Sequence, residues 1–78
     1  MLVRKMRTVA ELKFKERGII SEIDTSHPSS KRLIEHGFTP GQIIELMHQS
    51  LFKDPIAVSI RGTLIALRKS EADCIKLK

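Results

Sequence analysis

Apolar and polar positions change period between Leu33 and Met47, and that change organises the chain. Leu33 and Ile34 offer helical contacts, and the pattern predicts a helix over 29–36. Gly37 stands where a helix C-terminus takes a residue of positive φ, with Phe38 placed to fold back as its apolar contact. Pro40-Gly41 fits the middle of a type II turn, and 42–49 follows as a strand. As a strand it sets Ile44, Leu46 and His48 on one face and Ile43, Glu45 and Met47 on the other.

The same reading extends in both directions. Thr8 and Glu11 have the spacing of a capping box over one short helical turn. The first strand is 18–24, where Ile20 and Ile23 break alternation and call for a β-bulge. Residues 25–28 form a turn, with Pro28 suited to a helix's first turn. After a turn at Lys53-Asp54-Pro55, 56–61 alternates cleanly. Gly62-Thr63 reads as a tight hairpin connection into 64–68, a strand apolar on both faces. Ser70 is the expected cap of a helical turn over 70–73, and 75–78 is a fifth strand. Five short strands with tight turns and one short helix predict a mainly β fold, a small bent barrel closed by the last strand.

Length changes the picture only by limiting it. Seventy-eight residues make a single domain, 1–78, with a narrow stability margin and no disulfide, because Cys74 is the only cysteine. A lone thiol suits a reducing compartment. The N-terminal stretch lacks the apolar run of a signal peptide, and no stretch reaches the length of a membrane span. These features predict a cytoplasmic protein. Charge adds a direction: 14 Lys and Arg against 9 Asp and Glu give a net charge of +5, densest at Arg4, Lys5 and Arg7, then Lys13, Lys15 and Arg17. Such an excess suits nucleic acid, anionic headgroups or an acidic protein face, and equally a solvated surface.

The order of motifs resembles the FeoA family, small cytosolic accessory proteins of bacterial ferrous iron transport. The resemblance lies in RLIEHGFTPG, QIIELM and DPIAVSIRGTLIALRKSEADCI, and so in Arg32, Leu33, Gly37, Pro40, Gly41, Asp54, Pro55, Gly62, Leu67, Arg68, Glu71, Ala72 and Ile75. It covers the chain from Gly18 onward. It implies an SH3-like β-barrel with an inserted helix, and a partner: the cytosolic, GTP-binding portion of a ferrous iron transporter in the membrane. A similar module ends iron-dependent repressors, whose DNA-binding helices this chain lacks. Many relatives carry glycine before the Asp-Pro pair, where this chain has Lys53.

Candidate chemistry is sparse. His27, His36, His48 and Cys74, with Glu22, Asp24, Glu35, Glu45 and Asp54, are the possible ligands of a transition metal ion, but no pair has a ligand spacing. Cys74 reads better as a small buried apolar group. The chain has no nucleophile motif and no phosphate loop, so no catalytic residue, cofactor or metal is assigned and no enzyme is expected. Nucleic acid is the rival partner. Single-strand sites stack bases on aromatics, and here Phe14, Phe38 and Phe52 are the only aromatics, each wanted for core or cap contacts. No stable nucleic-acid complex is expected. A protein partner has better candidates: Leu51 and Phe52 in the loop between strands, with Arg61 and Arg68 at strand ends. The alternatives are Phe52 as a plug under the barrel and the arginines in exposed ion pairs.

Overall fold

The computed structural model describes residues 6–78, so Arg4 and Lys5 of the basic cluster lie outside the described residues. A 3-10 turn, Val9–Glu11, leads to β1 (Arg17–Ile23), α1 (Ser30–Glu35), β2 (Ile43–Gln49), β3 (Ile56–Ile60), β4 (Thr63–Leu67), α2 (Lys69–Asp73) and β5 (Ile75–Leu77). The strands are antiparallel in the order β4-β3-β2-β1-β5.

β1 makes the bend. Its first half pairs with β2 (Arg17 opposite Glu45, Ile19 opposite Ile43) and its second half with β5 (Ile20 opposite Leu77, Ile23 opposite Ile75). The register slips between Ile20 and Glu22, which leaves Ser21 unopposed. This is the bulge that Ile20 and Ile23 called for, and it turns both side chains into the core. Phe38, Leu33, Ile44, Leu46, Val58, Ile60, Leu67 and Ile75 complete one apolar core.

α1 ends as its sequence demands. Gly37 has φ 101° and donates its N–H to the Ile34 carbonyl, while Phe38 donates to Leu33. These are the two bonds of a Schellman cap, with Phe38 and Leu33 buried as its apolar contact. Gln42 N–H then closes on the Thr39 carbonyl across Pro40-Gly41, with Gly41 at φ 91°, a type II turn. Gly41 N–H also donates to Ile20 O, and Ile20 N–H to Gln42 O, so the turn is fastened to β1.

Several local expectations need correction. A second bulge, at Met47, shifts β2 against β3, so His48 lies opposite Ala57 and is exposed instead of following Leu46 inward. The hairpin residues are Arg61-Gly62, both at positive φ, with Ile60 and Thr63 paired; Thr63 belongs to β4. β4 is largely exposed: alternation turns Leu64 and Ala66 to the solvent side of the sheet, and Leu67 goes into the core. The cap of α2 is Arg68, not Ser70: Glu71 reaches back to accept the Arg68 N–H at 2.9 Å. A guanidinium has no acceptor, so only that half of a capping box exists. The first turn is also half a box. Glu11 accepts the Thr8 N–H, but the buried Thr8 Oγ1 has no partner.

The barrel is closed by packing and not by a complete ladder. β5 pairs with β1, and among the described residues no ladder joins β5 to β4. α2 spans that seam, and Val9 and Leu12 of the 3-10 segment are buried with Ala72 and Cys74 behind it.

Candidate docking surface

The loop from β2 to β3 closes on itself before it meets the rest of the molecule. Lys53 N–H donates to the Ser50 carbonyl at 2.9 Å, and Asp54 N–H to Ser50 Oγ at 3.0 Å. Leu51 and Phe52 are therefore the central residues of a turn, and their side chains point away from the barrel, 89% and 84% exposed. Phe52 is not a plug. Lys53 completes the turn at φ 60°, the left-handed conformation that glycine adopts most easily.

The Asp54 carboxylate then accepts the Lys69 N–H at 3.0 Å. It caps the start of α2 and holds the loop beside Arg68. Because Ile56 lies opposite Leu67, Arg68 falls at the same end of the sheet as Leu51 and Phe52. Arg61 does not. It sits in the hairpin at the other end of β3, about 17 Å away for a five-residue strand. There its side chain lies beside Gly37, such that a Cβ added to that glycine would stand 3.4 Å from Arg61 Cδ. Of the four candidate partner residues, Leu51, Phe52 and Arg68 lie at one end of the sheet and Arg61 at the other.

Beside them is an open cleft of about 310 Å³ lined by Arg32, Pro55, Ala66, Leu67, Arg68 and Glu71. Glu71 is buried and its carboxylate pairs with the Arg32 guanidinium. Burial pushes the Glu71 carboxyl up, but the Arg68 N–H, the Ser29 hydroxyl and Arg32 outweigh it and hold it below its ordinary value. Among the described residues, the ion pairs are Arg7–Glu16, Arg17–Glu45 and Arg32–Glu71. Arg68, Lys53 and Lys69 are in none of them and are exposed, so this end of the barrel is basic around an apolar tip. Sequence reasoning missed Glu71 and Asp54 as the groups that hold the surface. The signal for Glu71 was its position three residues after the cap, obscured because arginine is not a capping residue.

The candidate metal ligands are dispersed. Among the described residues no three His, Cys, Asp or Glu side chains converge. His27 Nδ1 accepts the Ser29 N–H, the Asp24 carboxylate accepts from Ser26 N and Oγ, Glu45 is paired with Arg17, and His36 and His48 are exposed on separate elements. Cys74 is buried, which pushes its thiol up, away from the thiolate. Phe14 is exposed where a core or cap contact was expected of it, and Phe52 takes the exposed of its two readings. Phe14 is 58% exposed with the Lys15 ammonium 5.4 Å above its ring, and Phe52 is on the loop tip. Each lies on a tight turn whose backbone carries its side chain outward, and Phe38 alone is buried.

Five bent antiparallel strands with a helix between the first two, and a built surface on the outside, define a small SH3-like barrel. The FeoA domain model matches residues 7–78, and the chain belongs to the FeoA family. A FeoA-like protein from Clostridium acetobutylicum is 26% identical with a TM-score of 0.86, over 97% of this chain and 88% of that one. Iron(II) transport protein A from Clostridium thermocellum is 30% identical with a TM-score of 0.85, over 92% of this chain but 44% of that one. FeoA of Stenotrophomonas maltophilia complexed with zinc, described as an SH3 domain protein, is 25% identical with a TM-score of 0.82, over 92% and 89%. No protein of curated function matches the chain by sequence.

Proposed function

We propose that this chain is a non-enzymatic, cytoplasmic accessory factor of bacterial ferrous iron transport, and that it acts by docking on the cytosolic, GTP-binding portion of the membrane transporter. Family membership supports the transport role, as do the structural relatives, one described as an iron(II) transport protein and another as a possible activating factor of ferrous iron transport. The observation that carries the docking role is the pinned, outward Leu51-Phe52 tip beside the basic Arg68 cleft. Two adjacent apolar side chains held this far into solvent can anchor a protein partner. No helix among the described residues is long and apolar enough to cross a membrane. Regulation follows if docking favours one nucleotide state of the transporter over another. The reading assigns no metal to the chain itself.

The test is co-purification with the transporter's cytosolic portion. Leu51→Asp with Phe52→Asp leaves the circular dichroism spectrum and melting unchanged and abolishes binding. A folded double variant that binds like the parent removes this surface from the proposal.

A second reading, nucleic-acid binding, has one observation in its favour: Phe14 and Phe52 are both exposed beside lysines. A salt series decides it, because phosphate-driven binding weakens steeply as salt rises. Absence of binding to single-stranded oligonucleotides at low salt excludes it.

A further inference from the structure

The two edges of the sheet are treated differently. Along β5, the outer side is covered by the chain's own start: Thr8 bridges to Lys76, and Leu77 N–H donates to the Arg7 carbonyl at 2.8 Å. Along β4, among the described residues, only β3 is paired. The β4 sequence, Thr-Leu-Ile-Ala-Leu, has no proline and no charge, the usual guards of an open edge. The two-residue connection makes Ile60 and Thr63 a hydrogen-bonded pair, so by alternation Leu64 and Ala66 turn their N–H and C=O groups away from β3. Both have exposed side chains, and Ala66 also lines the cleft with Arg68 and Arg32.

We propose that the open edge of β4 and the Arg68 cleft at its end bind an extended, acidic segment of a partner protein, which adds to the sheet as a sixth strand with a carboxylate on Arg68. Strand addition satisfies the free backbone groups, and the charge at the end of the strand selects the segment. Charge also argues against a second copy in this place. Two β4 strands paired antiparallel would bring the Arg61 turn of each copy toward the Arg68-Lys69 end of the other, cation near cation. The site builds on the docking role above, by naming what the partner presents.

A random linear peptide library displayed on phage, screened against the whole chain, tests the site without the transporter. The enriched peptides carry Asp or Glu, and on binding they slow hydrogen exchange at the Leu64 and Ala66 amides. Affinity falls at least about tenfold in Ala66→Pro, which removes the outward donor without touching the β3 ladder, and in Arg68→Glu. Ala66→Thr keeps the donor and binds like the parent. If Ala66→Pro does not fold, the exchange readout on the unaltered chain decides alone. Lack of enrichment, enriched peptides without acidic residues, unchanged exchange at Leu64 and Ala66, or dimers formed through β4 each overturn the proposal. Failure here leaves the Leu51-Phe52 co-purification result standing, and failure there leaves the peptide result standing.

Discussion

Arg32 on α1 and Glu71 on α2 are 39 residues apart in sequence and form an ion pair across the cleft. The two partners are unequal. The Glu71 side chain is 7% exposed and the Arg32 side chain 54%. Removing the arginine therefore leaves a buried carboxylate short of a partner, whereas removing the acid frees an arginine to water. Arg32→Ala should cost about 1–3 kcal/mol at neutral pH. Glu71 is held below its ordinary value in the parent, so its contribution is present above 4.5 and fades as pH falls. Without Arg32 the carboxyl loses two of the contributions that hold it down and moves upward, so the deficit of Arg32→Ala shrinks in acid. Urea unfolding of both proteins at neutral and acid pH measures it. A deficit that is constant with pH would show that Glu71 does not depend on Arg32.

A surface carboxylate gives a cleaner acid signature. Glu16 accepts both Arg7 nitrogens, at 2.9 and 3.0 Å, and the Lys13 N–H at 2.9 Å. The Arg7 hydrogen bonds, then the Lys13 N–H, lower its carboxyl from 4.5 to about 2. A depressed carboxyl stabilises the fold above its unfolded value and stops doing so as pH falls through its folded value. Between pH 4.5 and 2 the parent should lose stability that Glu16→Gln has already lost. The two unfolding curves converge toward pH 2, and parallel curves across that window would count against the pairing.

The parts of the fold legible in the sequence are those set by neighbours. Gly37-Phe38 and Pro40-Gly41 can satisfy their backbone in few ways, and they do so as read. The β1 bulge was legible because Ile20 and Ile23 cannot both face the core without it. The β2 bulge was not, because Ile43-Ile44 and Leu46-Met47 are apolar on both faces, so the pattern fixes no register there, and no glycine marks the slip. Arg61 at φ 51° was missed for the same reason: the residue carries no sign of a left-handed turn. At the candidate site, Leu51 and Phe52 could be read as exposed or buried, since hydropathy does not say which way a turn points. The Arg32–Glu71 pair depends on how α1 and α2 meet, which is tertiary information.

Positive φ yields two opposite outcomes at two positions. Lys53→Gly relieves a side chain in the left-handed region, partly offset by the freedom that glycine gains in the unfolded chain. The net gain should be about 0.5–1 kcal/mol. Gly37→Ala introduces the same strain at φ 101° and sets a methyl 3.4 Å from Arg61 Cδ. It should lose about 1–2 kcal/mol. Thermal melting measures both. A Lys53→Gly protein no more stable than the parent would mean that the strain at Lys53 does not exceed the entropy that glycine adds to the unfolded chain.

Gly18 and Leu77 make the closest approach of a glycine to the core. A Cβ on Gly18 would lie 2.9 Å from Leu77 Cδ1 and 3.1 Å from Cδ2, too near for either to stay in place. Leu77 is buried between β1 and the N-terminal segment, so it can retreat only by disturbing its neighbours. Gly18→Ala should therefore destabilise by about 1–3 kcal/mol, as overpacking does. Leu77→Ala alone leaves a cavity and should lose about 2–5 kcal/mol. In the double variant the new methyl stands in space that the leucine has vacated, so the two losses do not add. Urea unfolding of all four proteins should give a favourable coupling of at least about 0.5 kcal/mol, and additivity within that margin would place the Gly18 requirement in the backbone instead of in Leu77.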